Sequence, residues 1–253
     1  SHEANNEDVA SLGETFEILA LSQAVQVQNL ESLTPEEALN AAFNNGEAEI
    51  DSVTLVEWFS ALAGMPVTTV STAEELTDAL AQGGTIVLTD DVELGDEQIT
   101  LTEDTTLVLG DNTLIAEPVN VDKTYGVINI PAGVTLTVEG GEGQMVLDTN
   151  LSKAVSASIF QNDGELIING GDYLATCNDS PAASIVAVVD NVAGGAGSSV
   201  TINGGTFAVG GTRCPNIIRN WPLSAGSVVE LTINGGTFKA NPDRPITYIW
   251  SKN

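Results

Sequence analysis

Basic side chains are what this sequence lacks most. Its 253 residues include 35 Asp and Glu but only seven Lys and Arg, which gives a formal net charge of −28. All seven cations lie at or after Lys123, whereas 25 of the 35 acidic residues precede it. Such a field repels nucleic acid and anionic membrane surfaces, so we expect neither as a partner. A basic protein, a divalent cation or a positively charged mount on a larger assembly is favoured, unless the charge serves solubility alone.

Histidine, cysteine and long apolar runs are also scarce. The only histidine is His2, which excludes histidine-based catalytic triads and histidine-rich metal sites. No run reaches the roughly 18 apolar residues of a membrane span. The two cysteines, Cys177 and Cys214, are either buried thiols or a disulfide, and no compartment follows from them. No phosphate-binding loop or EF-hand spacing occurs, so we expect no cofactor and no metal site.

What the sequence does contain is a segment that recurs three times. Each copy has a β-branched run, the tripeptide Asn-Gly-Gly and an aromatic residue two positions beyond the second glycine. The asparagines are 34 and 31 residues apart. A period of this length is typical of stacked-coil architectures. The corner residues are Asn169, Gly170, Gly171, Asn203, Gly204, Gly205, Asn234, Gly235 and Gly236.

The repeated segment predicts a strand, a sharp corner and a second strand. β-Branched residues suit a pleated, half-buried surface, and glycine permits the positive φ that a sharp bend requires. Stacking of the copies would form two interior columns, one of isoleucine and one of aromatic residues. The asparagines would form either a hydrogen-bonded ladder or simple turns. The two columns are Ile168, Ile202 and Ile233, and Tyr173, Phe207 and Phe238.

Weaker copies and a cap extend the pattern towards the N-terminus. We count five or six coils between Gly84 and the C-terminus. Thr72 and Glu75 form a capping box ahead of a helix with one apolar face, which would cover the first coil. The stretches 70–76 and 83–88 are similar to the capping helix and first strand that open many right-handed parallel β-helices, and the coils resemble those of this pectin-lyase-like fold.

The resemblance covers residues 70–253 and implies an all-β, right-handed parallel β-helix. Residues 1–69 would form a small, partly helical N-terminal module. The fold hosts lyases, hydrolases, adhesins and phage fibres alike, so it does not decide function.

Enzymes of the resembling fold use carboxylate pairs or clusters, sometimes with calcium and an arginine base. A glycosidase needs two carboxyl groups within roughly 5 to 10 Å of each other. A pairing of Asp172 with Asp179 or Asp190 stays open, but no carboxylate recurs in the repeated strands, so we expect no catalytic residue. The groups available are Asp172, Asp179, Asp190, Arg213, Arg219 and Arg244.

These observations predict a non-enzymatic structural or binding protein, first of all a virion-surface component such as a phage head fibre, capsid decoration or tail-fibre protein. The alternative is a bacterial cell-surface adhesin or secreted repeat protein, and a polysaccharide lyase or hydrolase is third. Expected partners are a capsid or other virion protein, or a glycan or protein of the host surface. Apolar residues of the N-terminal module are either docking residues or an internal core: Phe16, Ile18, Leu19, Leu21, Val25 and Val27.

The C-terminal segment predicts self-association. It reads as a strand without a capping helix, and an open coil exposes apolar interior and strand edges. A partner subunit, another protein or further residues would have to cover it. We therefore expect a homo-oligomer, with a trimer as the first expectation.

Overall fold

The structure is a computed structural model, and it describes part of the chain. The described residues are 67–119, 124–149, 156–177, 185–193, 197–211, 216–222, 227–240 and 247–249. They form one helix, α1 (Ala73–Gln82), and parallel strands. The strands are β1 (Val67–Val70), β2 (Gly84–Leu88), β3 (Val92–Gly95), β4 (Ile99–Thr100), β5 (Thr105–Val108), β6 (Thr113–Ala116), β7 (Tyr125–Ile130), β8 (Thr135–Glu139), β9 (Gln144–Thr149), β10 (Ser156–Asn162), β11 (Glu165–Cys177), β12 (Ile185–Ala193), β13 (Ser198–Gly210), β14 (Ile218–Pro222), β15 (Val229–Ile233), β16 (Thr237–Lys239) and β17 (Thr247–Ile249).

The strands form two sheets that the chain visits in turn. In the 11-stranded sheet, one row of neighbours is β1-β2-β5-β8-β11-β13-β15 and a second is β3-β6-β9-β11-β13-β16. β11 and β13 belong to both rows because each continues through the Asn-Gly-Gly corner. The six-stranded sheet has the order β17-β14-β12-β10-β7-β4. Every pairing is parallel, which confirms the predicted parallel β-helix and all-β fold class.

The number of coils is smaller than predicted. The solenoid has about four turns rather than five or six. The physical reason lies at the two ends, where the strands are short: β4 has two residues, and β16 and β17 have three each. The first and last passes therefore contribute little regular strand.

The two predicted interior columns exist in register. Ile168 pairs with Ile202, which pairs with Ile233. The first two are fully buried, whereas Ile233 is 44% exposed. Among the described residues no strand pairs with the far side of β15, so the last isoleucine lacks the neighbour that covers the other two.

The aromatic column is stacked. The ring centroids of Tyr173 and Phe207 are 4.9 Å apart, those of Phe207 and Phe238 are 5.0 Å apart, and both pairs are within 12° of parallel. Phe160 of β10 meets Tyr173 from the six-stranded sheet at 5.7 Å. Aromatic contacts of this kind add stability beyond the area they bury. The column therefore links the two sheets as well as successive coils.

The helix ahead of the first coil is capped as predicted. The Glu75 amide donates to Thr72 Oγ1 (3.2 Å), while the Glu75 carboxylate accepts from the Ser71 amide (2.9 Å). This bond holds the pKa of Glu75 below its usual value. Leu76 and Leu80 are fully buried on the face that packs against the first strands. β1 precedes the helix and pairs with β2, so the described part of the sheet begins at residue 67.

Several predictions fall outside the described residues. They concern the N-terminal module and its docking residues Phe16, Ile18, Leu19, Leu21, Val25 and Val27, as well as Cys214, Asp179, Arg213 and Arg244. Cys177 is buried at the end of β11. The pairing of the two cysteines stays a prediction.

Candidate functional site: polar ladders and an outer groove

The three corner asparagines form a hydrogen-bonded ladder on the surface. Asn234 Nδ2 donates to Asn203 Oδ1 (2.8 Å), and Asn203 Nδ2 donates to Asn169 Oδ1 (2.8 Å). Asn169 Nδ2 donates to Glu139 Oε1 (2.6 Å), so a carboxylate accepts at the first rung. We call these four residues the outer ladder. Its amides are used to join successive coils.

The second glycine of each corner has a positive φ. Gly171, Gly205 and Gly236 hold φ of +89°, +105° and +109°, a region that other residues rarely adopt. A Cβ on Gly205 would lie 2.7 Å from the carbonyl oxygen of Gly171, whereas one on Gly204 would meet nothing closer than 3.8 Å. In the middle corner the second glycine is therefore the one that the bend requires.

A second asparagine ladder lies in the interior, and the sequence analysis missed it. Asn162 Nδ2 donates to Asn191 Oδ1, and Asn191 Nδ2 donates to Asn220 Oδ1, both at 2.9 Å. The same two amides also donate to the carbonyl oxygens of Ser199 (2.9 Å) and Glu230 (3.0 Å). All three side chains are buried. This inner ladder ties the six-stranded sheet to the starts of β13 and β15.

A signal for the inner ladder was present in the spacing. Its asparagines recur every 29 residues. The residues that follow them are Asp163, Val192 and Trp221, which share no chemistry. Without a repeated neighbour the asparagines do not stand out as a motif.

The neighbouring positions form a polar column on the outer face of the six-stranded sheet. Gln161 pairs with Asp190, and Asp190 pairs with Arg219. Phe160 contacts the interior ring of Tyr173, and Asn162 belongs to the inner ladder, so Gln161 between them faces outward. The structure thereby brings together two of the groups that the resemblance implied for chemistry, Asp190 and Arg219.

The side chains of Asp190 and Arg219 form a buried ion pair with two contacts. Arg219 Nη2 contacts Asp190 Oδ2, and Arg219 Nε donates to Asp190 Oδ1 at 3.1 Å. The guanidinium also lies 5.3 Å from the ring centroid of Trp221. The two residues are only 3% and 6% exposed. Burial raises the pKa of Asp190, and the attraction of Arg219 opposes that rise without cancelling it.

The other candidate carboxylate lies elsewhere. Asp172 belongs to the second row of the 11-stranded sheet, in register with Gln144 and Thr206. Asp190 lies on the six-stranded sheet, so the two carboxylates do not share a face. The pairing of Asp172 with Asp190 that the sequence left open would join residues of different sheets, and Asp190 is instead paired with Arg219. The pairing with Asp179 lies outside the described residues.

An open groove crosses the starts of four coils. It has a volume of about 470 Å³ and is lined in part by Thr135, Glu165, Ser199 and Glu230, which are in register on successive strands. Thr135 Oγ1 donates to Glu165 Oε2 at 3.4 Å. Glu165 and Glu230 are both exposed. The groove therefore presents hydroxyls and carboxylates that can bind the hydroxyl or amino groups of a ligand.

Two buried tyrosine hydroxyls donate hydrogen bonds to backbone carbonyl oxygens. Burial raises the pKa of Tyr125 and of Tyr173 far above the usual value. The Tyr125 hydroxyl donates to the Glu97 carbonyl oxygen and the Tyr173 hydroxyl to the Gly170 carbonyl oxygen, both at 2.7 Å. The Tyr173 hydroxyl binds the backbone of its own corner, whereas the Tyr125 hydroxyl joins β7 to a segment 28 residues earlier in the chain.

Within the described ranges no group of three or more His, Cys, Asp or Glu side chains is placed to hold a metal ion. In the same part of the chain no helix has the length and apolar character that a membrane crossing requires.

Comparison of the sequence and the structure with family models, with curated proteins and with solved structures gives no match.

Proposed function

We propose that this chain is a non-enzymatic structural and binding protein that displays a rigid parallel β-helix. The first assignment is a virion component, such as a head fibre, capsid decoration or tail-fibre protein. One observation carries the proposal: the polar side chains best placed for chemistry bond to one another across coils. The outer ladder, the inner ladder and the Asp190–Arg219 pair all join strands that lie next to each other.

The ion pair supports a structural role more than a catalytic one. A catalytic carboxylate must reach its substrate, and a general acid or base needs a proton that it can exchange. Asp190 is buried, and both of its oxygens are bound by Arg219. The bond between β12 and β14 that results stiffens the last coils of the solenoid.

The mount in this proposal is the N-terminal module. Every Lys and Arg follows residue 122, so residues 1–122 carry acidic side chains without basic ones. Docking of such a segment on a basic surface gains association rate from electrostatic steering and loses it as salt is added. The β-helix then supplies reach and an exposed surface.

The place where the protein is found, on virus particles or on cells, tests the proposal. Antibodies raised against the full-length chain would be used for immunogold electron microscopy of purified virus particles and of intact cells from the source. Label at a fixed position on particles supports the virion assignment. Label on cell surfaces with none on particles contradicts it.

The cell-surface adhesin is the second candidate, and the groove favours it. Thr135, Glu165, Ser199 and Glu230 present hydrogen-bonding groups across neighbouring coils, as a surface that recognises a glycan or protein would. Replacement of Glu165 and Glu230 together by Gln should then weaken binding of the full-length protein to host cells. Unchanged binding of this variant would count against a role of the groove.

A further inference from the structure

The three corners are chemically matched but structurally different. Asn169, Asn203 and Asn234 are each followed by Gly-Gly. An asparagine before glycine is prone to deamidation, because the glycine amide meets no side chain as it approaches the asparagine Cγ. We propose that Asn234 is a spontaneous deamidation site in the folded protein, and that the outer ladder protects Asn169 and Asn203.

In the outer ladder the side-chain amides of Asn169 and Asn203 each both donate and accept a hydrogen bond. Asn203 donates through Nδ2 to Asn169 and accepts at Oδ1 from Asn234. Asn169 donates to Glu139 and accepts from Asn203. Asn234 donates through Nδ2, but no further rung among the described residues donates to its Oδ1. Its amide is therefore fixed at one end only.

The backbone at Asn234 is also less constrained than the backbone at Asn169 and Asn203. Asn169 and Asn203 lie inside the continuous strands β11 and β13. Asn234 lies in the gap between β15 and β16, which pair with β13 on one side and with no described strand on the other. The Gly235 amide has more freedom to reach the side chain than its counterparts in β11 and β13.

The reaction needs only the chain and water. The Gly235 backbone nitrogen attacks Asn234 Cγ, a nitrogen–carbon bond forms, and the amide nitrogen leaves as ammonia after it takes up the proton that the Gly235 nitrogen gives up. The product is a five-membered succinimide. Water then adds to either of its carbonyl carbons and opens the ring to aspartate or isoaspartate. No oxidation or reduction occurs.

The product changes the last rung. A carboxylate at 234 has no N–H to donate to Asn203 Oδ1, so the 2.8 Å bond that joins β13 to the final corner is lost. Isoaspartate also lengthens the backbone by one methylene group within the corner. Modification at Asn234 therefore loosens the final coil and adds negative charge to it.

Peptide mapping of the full-length protein tests the proposal. The folded protein is held in mildly alkaline buffer, sampled over time, digested with trypsin and analysed by mass spectrometry. Cleavage after Arg219 and Lys239 isolates Asn234 from the other two corners. The same chain in urea is the reference, because all three sites then share one local chemistry.

We expect Asn234 to deamidate about five-fold or more faster than Asn203 in the folded protein, the factor for one net hydrogen bond, and the three sites to react at similar rates in urea. In Asn234→Ala, Asn203 becomes the last rung and its deamidation should accelerate by a similar factor. Thr232→Ala, a change on the same exposed strand outside the ladder, should leave Asn203 unchanged. Equal rates at Asn203 and Asn234 in the folded protein, or no acceleration in Asn234→Ala, would overturn the proposal.

Discussion

At the scale of single residues, equivalent positions on successive coils are used for contact between coils. Phe207 stacks between Tyr173 and Phe238, and Asn203 bonds to Asn169 and Asn234. A side chain in such a column has matched neighbours above and below. Its identity is therefore dictated by the coils on either side, so a polar residue in a column is not by itself a sign of a binding or catalytic site.

The two glycines of one corner provide a matched pair of substitutions. Gly205→Val should lower the free energy of unfolding by about 3 kcal/mol or more, because valine is strained at positive φ and its Cβ would meet the Gly171 carbonyl oxygen. Gly204→Val has room for its Cβ and should lie within about 0.5 kcal/mol of the parent. Urea unfolding followed by circular dichroism measures both. Equal losses in the two variants would refute the assignment of the bend to Gly205.

The buried ion pair gives a pH-dependent prediction. Arg219→Met leaves the Asp190 carboxylate buried without its partner and should cost about 3–5 kcal/mol near neutral pH. Burial raises the pKa of Asp190, and without Arg219 nothing opposes that rise. The folded state then binds a proton at a pH where the unfolded state does not, so stability rises as the pH falls from neutral towards the unfolded carboxyl pKa of about 4.

Asp190→Asn/Arg219→Met is the control for this effect. The double variant has no carboxylate at position 190. It should therefore not gain the stability that Arg219→Met gains as the pH falls. Thermal or urea unfolding of both variants across the pH range measures the difference. A loss in Arg219→Met that is the same at both ends of the range would contradict a buried, unpaired Asp190.

At the scale of elements, the sequence predicts the strands that carry the motif better than those that do not. β11 and β13 follow from the Asn-Gly-Gly repeat, and α1 follows from Thr72 and its apolar face. The inner ladder and the Asp190–Arg219 pair do not follow. Equivalent positions recur every 29 residues on β10, β12 and β14, but every 34 and 31 residues at the corner. Loops of different length absorb this difference, so the register of the six-stranded sheet cannot be read from the visible repeat.

The two ladders should differ in their contribution to stability. Asn191→Ala leaves one N–H of the Asn162 amide and the Oδ1 of Asn220 without a partner at a buried site, and should cost about 3 kcal/mol or more. Asn203→Ala breaks bonds of the same geometry at an exposed site, where water replaces them, and should cost about 1 kcal/mol. Paired urea melts compare the variants. A larger loss for Asn203→Ala would mean that the outer ladder, not the inner one, carries the stability.

At the scale of the whole molecule, the fold class follows from the repeat, whereas the function rests on what the repeat leaves uncovered. Ile233 and Val228 are exposed at the final coil, whereas Ile168 and Ile202, the counterparts of Ile233 on earlier coils, are buried. Apolar surface and a free strand edge favour association. The high negative charge opposes association at low salt, because two copies repel each other.

The full-length protein should therefore form a homo-oligomer, with a trimer as the expected state, and association should strengthen as salt screens the charge. Light scattering coupled to size-exclusion chromatography at low and high ionic strength measures the mass directly. A monodisperse monomer at every salt concentration would rule this prediction out.

We propose that the polar residues of this β-helix serve its structure and display rather than catalysis. The most direct measurement is turnover of acidic and neutral polysaccharides by the full-length protein, followed both as new reducing ends and as unsaturated products, with Asp190→Asn alongside. We predict no turnover above that of heat-denatured protein for either chain. Turnover by the parent that is lost in a folded Asp190→Asn variant would contradict the claim, because Asp190 would then act on substrate rather than hold two coils together.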